Sequence, residues 1–119
     1  MKINLFNNAK QFETFAPGEI IFSQGQPGNK MYVVIAGEVS IMVGNAIVDV
    51  AEKGDLIGEM SLVETAPRSA TAIARSECRV VPINEHYFQF LVQQTPYFAL
   101  QVMEVMAYRL RRMNHFVAA

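Results

Sequence analysis

The sequence predicts a mainly β fold, a sandwich or roll closed by helices at its C-terminal end. Three observations predict it. Short apolar and β-branched runs recur through the first two thirds, Gly and Pro punctuate them, and the last third changes to apolar spacings of three and four. Many short strands separated by turn residues are the pattern of an all-β sandwich or roll.

Along the chain, residues 1–14 read as a helical lead-in, with Leu5, Phe6 and Phe12 on the inner face of a short helix. Phe15-Ala16-Pro17-Gly18 is a turn signal. Glu19–Phe22 is a short strand that ends in the Gly- and Pro-containing run from Gln24 to Asn29. Met31–Ala36 is apolar and β-branched, as a buried strand requires, and Gly37 interrupts it. Val39, Ile41 and Val43 alternate with Glu38, Ser40 and Met42, which marks a half-buried strand. Gly44-Asn45 turns the chain into Ala46–Val50, and Glu52-Lys53-Gly54-Asp55 turns it again. Ser69–Ala74 and Cys78–Ile83 are two further strands. The roll thus occupies 15–83.

Helices fill 84–116. Asn84 is an N-cap for Glu85–Gln94, whose inner face is Phe88, Leu91 and Val92. Thr95-Pro96 starts the second helix, because Pro is well suited to a first helical turn. The apolar stripe of that helix is Phe98, Val102, Val105, Met106, Leu110 and Met113. Arg109, Arg111 and Arg112 lie late in it, where cations complement the helix dipole, and contact with a partner or ligand is the alternative.

Composition narrows the function. A chain of 119 residues suits one domain, 1–119, and 51% hydrophobic residues supply a core. The net charge of −1 and a pI near 6.1 give no basic footprint, so direct nucleic-acid binding and adhesion to an acidic membrane are not expected. The single Cys78 excludes an internal disulfide and reads as a buried, inert thiol. No run reaches the ~20 apolar residues of a membrane span. The start, Met1-Lys2-Ile3-Asn4, has no signal-peptide core, so a cytoplasmic location is expected. His86 and His115 both fall on helices outside the roll, which leaves no strand-borne metal ligand set. No nucleophile–base pair stands out, and the reading is of a binding protein rather than an enzyme.

The informative segment runs from Asp55 to Thr71 and interrupts the strand pattern. It contains Gly58-Glu59-Met60-Ser61-Leu62, then Pro67-Arg68-Ser69-Ala70-Thr71, with Glu59 and Arg68 nine positions apart. This resembles the phosphate-binding cassette, 58–71, of the cyclic-nucleotide-binding domain family. The resemblance extends upstream through Gly18-Glu19-x-Ile21-Phe22, Gly25-x-x-Gly28, Met31-Tyr32-Val33-Val34 and Gly37-x-Val39. It covers roughly residues 12 to 112.

The resemblance implies an eight-stranded β-roll (a double-stranded β-helix, or jelly roll). It adds an N-terminal helix, a cassette helix and two C-terminal helices. The ligand it implies is a 3′,5′-cyclic nucleotide, with cAMP favoured over cGMP. The chemistry of the residues agrees. A cyclic phosphate is a compact anion, which suits amides at a helix N-terminus and a planar guanidinium fork. Gly58 allows close backbone approach. Glu59, Met60 and Ser61 open the short helix, Arg68 supplies the charge, Ser69 a hydroxyl and Ala70 an amide. Glu59 would repel a phosphate, so its role is to accept a hydrogen bond from the ribose 2′-hydroxyl, as the equivalent glutamate does in the family. Ile41 and Val48 are candidates for the apolar bed under the base, with Met60 beside them. Tyr108, Arg112 or His115 of the last helix are candidates to cap it.

Two departures from the family pattern stand out. Ile57 precedes Gly58 where Phe is common, and the chain reaches Ala119 without a winged helix-turn-helix. The expectation is therefore a stand-alone sensor, or a piece of a longer one. It signals to an effector protein not readable from the sequence by repositioning its C-terminal helices. Tyr97–Phe116 is apolar enough to pair with a second copy. The competing reading is a nucleotide-independent interaction module on the same fold.

Overall fold

The computed structural model describes residues 2–118, with side chains through Arg112. Its strands are β1 (Glu13–Phe15), β2 (Ile20–Phe22), β3 (Lys30–Ala36), β4 (Val39–Val43), β5 (Ala46–Ala51), β6 (Leu56–Ile57), β7 (Thr71–Ala74) and β8 (Cys78–Asn84). A 3-10 turn, Glu59–Leu62, follows β6, and two helices, α1 (Glu85–Gln94) and α2 (Tyr97–Ala118), follow β8. The strands form two antiparallel four-stranded sheets, ordered β1-β8-β3-β6 and β2-β7-β4-β5.

The first sheet is buried on both faces, and strand alternation explains how. Successive side chains of a strand point to opposite sides. Tyr32 and Val34 of β3 and Cys78 and Val80 of β8 pack into the interior of the roll with Val39, Ile57 and Ala72. Their neighbours Met31, Val33, Val81 and Ile83 pack outward with Leu56 against the helices. There they meet Leu91 of α1 and Phe98, Val102 and Val105 of α2, the first half of the predicted stripe, with Met106 partly buried beside them. Leu110 is exposed, and the side chain of Met113 lies outside the described residues. Phe98 is fully buried, with ring centroids 5.9 Å from Phe6 and 5.8 Å from Phe88. Burying such a ring contributes about 1.5–3 kcal/mol. At the head of α1 the Asn84 side chain accepts the Tyr87 N–H at 2.8 Å, as an N-cap should.

Three elements differ from expectation. The lead-in is not a helix. Residues 5–8 form a turn, closed by Asn7 N–H to Asn4 O at 3.2 Å and Ala9 N–H to Phe6 O at 3.0 Å. Three asparagines disfavour helix here, and Ile3 N–H donates instead to Gly54 O at 2.7 Å, tying the segment to the β5–β6 turn. Ile3 and Phe6 are consequently buried, whereas Leu5 and Phe12 are exposed. The cassette helix is a single 3-10 turn. Finally, β1 and β6 add strands of three and two residues that are too short for alternation to reveal.

Candidate functional site

The cassette is pinned at both ends. Gly58 has φ 72°, in the left-handed region, and leads from β6 into the 3-10 turn. A Cβ there would lie 2.5 Å from Arg68 Nη1, so a side chain at this position would displace the guanidinium. At the other end the backbone of Arg68 pairs with the β2–β3 loop. Its N–H donates to Gln26 O and its carbonyl accepts from Gly25 N–H, both at 2.8 Å.

Arg68 and Glu59 are both buried, with relative exposures of 7% and 4%. The Arg68 guanidinium donates to Lys30 O at 2.8 Å and to Gly58 O at 3.3 Å, and its carbon sits 4.2 Å from the centre of the Phe22 ring. Nε has no hydrogen-bond partner among the described residues. Among the described residues no carboxylate pairs with Arg68. Burial lowers its pKa, partly offset by Tyr32, yet a guanidinium remains charged at any physiological pH. Glu59 differs: Oε1 accepts from Arg109 of α2, and Arg109 donates its second terminal nitrogen to Leu56 O.

Between the cassette and α2 lies a cavity of about 510 Å³. Seven residues singled out from the sequence line it: Gly58, Glu59, Met60, Ser61, Arg68, Ser69 and Ala70. The Ser61 N–H returns to Gly58 O at 3.2 Å, so that amide is already engaged. The structure does not bring Ile41 and Val48 to this cavity. Ile41 packs against the roll interior, and Val48 is half exposed because β5 is an edge strand of the second sheet. The apolar walls come from Phe22, Val63, Met106 and Leu110 instead. Of the proposed caps, Tyr108 is 63% exposed and Arg112 pairs with Asp49 at 3.2 Å. The side chain of His115 lies outside the described residues.

Sequence reasoning missed Phe22, Met106 and Leu110 as wall residues and gave Arg109 to the helix dipole. A signal existed for Arg109: it lies three residues after Met106, on the same face of the helix.

One match decides the family. The profile of the cyclic nucleotide-binding domain matches residues 12–95. The chain belongs to the cyclic nucleotide-binding domain family.

Relatives of this cyclic nucleotide-binding domain include a kinase regulatory subunit, a transcriptional regulator and a protein kinase. A cAMP-dependent protein kinase regulatory subunit of Hypocrea atroviridis is 36% identical over 72% of the chain and 19% of its own length. A CRP-like cAMP-activated global transcriptional regulator of Mycobacterium tuberculosis is 31% identical over 87% of the chain and 49% of its own. A cGMP-dependent protein kinase of Toxoplasma gondii is 32% identical over 72% of the chain and 9% of its own. The chain thus spans about half or less of the length of these relatives. Among solved structures, the Thermus thermophilus catabolite activator protein superposes with a TM-score of 0.81 at 27% identity, covering 91% of the chain and 53% of that protein. A PKAR domain bound to Sp-2Cl-cAMPS superposes with a TM-score of 0.72 at 27% identity, over 89% and 70%. The fold is therefore the mainly β architecture of this family, two antiparallel sheets with a few helices.

Proposed function

We infer that residues 1–119 act as one sensor domain that binds a 3′,5′-cyclic nucleotide in the cavity between the cassette and α2. One observation carries this: a buried guanidinium with no carboxylate partner among the described residues faces a cavity beside a buried glutamate. A buried charge is costly unless it is paired, and a cyclic phosphate supplies the pair. Arg68 takes the phosphate oxygens, with the Ser69 hydroxyl and the Ala70 amide. Glu59 Oε2 accepts no hydrogen bond from the described residues and is available to a ribose hydroxyl while Oε1 stays with Arg109. The base rests on the apolar wall that includes Met106 and Leu110. The reading favours cAMP, the nucleotide named for the Mycobacterium regulator that aligns over 87% of the chain.

The output is a change in the position of α2. Arg109 connects Glu59 to that helix, so a ligand that engages Glu59 has differential affinity for α2 positions and shifts their populations. The recipients are an effector protein and a second copy of the chain. Leu100, Met103, Ala107 and Leu110 are exposed on α2 at spacings of three and four, the seam of a paired helix.

A thermal-shift panel of cAMP, cGMP, 5′-AMP and inorganic phosphate tests the reading. The expected result is the largest rise in melting temperature with cAMP. Equal rises with 5′-AMP or phosphate would remove the cyclic-nucleotide assignment. The nucleotide-independent module shares the exposed α2 seam with this reading and differs from it only in needing no ligand. No shift with any nucleotide would favour it.

A further inference from the structure

Arg68 is the group on which the proposed phosphate contact rests, and the role of its neighbours rests on that same functional reading. Besides its hydrogen bonds to Lys30 O and Gly58 O, its planar head is packed closely by two residues outside the cassette. Phe22, the last residue of β2, carries the guanidinium 4.2 Å from its ring centre. The ring is itself stacked on the buried Tyr32, with centroids 6.0 Å apart and planes 21° from parallel. Gly28, in the β2–β3 loop, approaches so closely that a Cβ on it would fall 2.2 Å from Arg68 Nε and 2.5 Å from Cζ. Gly28 is not among the glycines with positive φ. It is therefore the missing side chain, and not backbone freedom, that this position requires.

We propose that Phe22 and Gly28 are positioning residues that together form a seat for Arg68. They hold its fork at the cavity in the place where a carboxylate would otherwise steady a buried cation. The distinction matters chemically. A carboxylate would neutralise the guanidinium and compete with an incoming anion. A ring face and two carbonyl oxygens orient it and leave its unit charge uncompensated. The guanidinium has five N–H donors, and the protein accepts from two of its nitrogens. The seat thus fixes the direction of the fork without using up its capacity for an anion.

The test uses the full chain and two variants, Gly28→Ala and Phe22→Leu. Alanine is permitted by the backbone at 28, and its methyl displaces only the far end of a flexible side chain. In ligand-free protein, nuclear magnetic resonance reads the Arg68 Nε–H signal, which the Phe22 ring shifts upfield. Both variants are expected to move it toward the free-arginine position while the melting curve stays close to the parent's. Calorimetry with cAMP is expected to show a loss of about ten-fold or more for Gly28→Ala and about three- to ten-fold for Phe22→Leu. An Nε–H signal unshifted in the parent, or unmoved by both variants, overturns the seat. So does cAMP affinity within about two-fold of the parent in both variants. A parent that shows the shifted signal but binds no cyclic nucleotide overturns the functional reading instead.

Discussion

Glu59 and Arg68 lie nine positions apart, are equally hidden from solvent, and are treated oppositely by the fold. Glu59 has a counter-ion, Arg109, brought by the last helix. Arg68 has carbonyl oxygens, a phenyl ring and an Nε–H with no partner. The difference separates two roles within one cassette. A buried ion pair is satisfied without a ligand, so Glu59 and Arg109 connect the site to the rest of the molecule. A buried cation without an anion is not satisfied, and its desolvation cost is what an anionic ligand offsets. On the proposed function, the drive to bind resides at Arg68, and the discrimination among anions resides at Glu59.

The largest expected effect comes from removing the unpaired partner. Arg68→Ala should weaken cAMP binding by about 2–5 kcal/mol in calorimetry, the range for truncating one member of a buried charge pair. Unchanged affinity would mean that the guanidinium is not the anion site. Next, Glu59→Ala should cost a cyclic nucleotide about 1.5–3 kcal/mol, the scale of a hydrogen bond to a charged group, and leave inorganic phosphate affinity nearly unaltered. Equal losses for both ligands would erase the division of labour. Third, Arg109→Gln leaves Glu59 buried without its counter-ion. Breaking a fully buried pair costs about 3–5 kcal/mol. The Arg109 side chain is 29% exposed, which reduces the expected loss of stability in urea denaturation to about 1–2 kcal/mol. No loss would show that Glu59 needs no partner, and the contrast with Arg68 would disappear.

The smallest effect is a titration. Burial raises the pKa of Tyr32 above the ordinary phenol value, Glu13 raises it further, and Arg68 opposes both. Arg68→Ala should therefore raise it again, read by phenolate ultraviolet absorbance. The sign for stability comes from linkage. The folded value lies above the unfolded one, so the contribution of Tyr32 is complete below about pH 10 and is lost as pH rises through the folded value. A downward movement in the variant would contradict a charged Arg68 near this ring.

The cassette was legible because its determinants are local. Gly58, Glu59 and Arg68 stand at fixed offsets on one short segment, and six of the strands announce themselves by alternation and turn residues. What stayed hidden depends on contacts between distant segments. The lead-in looked helical from Leu5, Phe6 and Phe12, but the Ile3 amide is taken by Gly54 from across the fold. Gly28 reads as a turn glycine until Arg68 is seen lying over it. Ile41 and Val48 sit on apolar strands, but nothing in their spacing says that β5 is an edge or that the cavity wall comes from Met106 and Leu110. Arg109 reads as dipole compensation because its partner is fifty residues away.

Phe98 supplies a pivot. Its ring is clamped between Phe6 and Phe88, so the start of α2 is held fast, while the cavity wall meets the helix two to three turns later. A rod anchored at one end amplifies small rotations. The twenty-one residues from Phe98 to Ala118 span about 30 Å at the helical rise, so a tilt of roughly ten degrees about Phe98 carries the far tip by about 5 Å. On the proposed function, a sub-ångström adjustment near Glu59 would thereby be converted into a displacement that a neighbouring molecule can read.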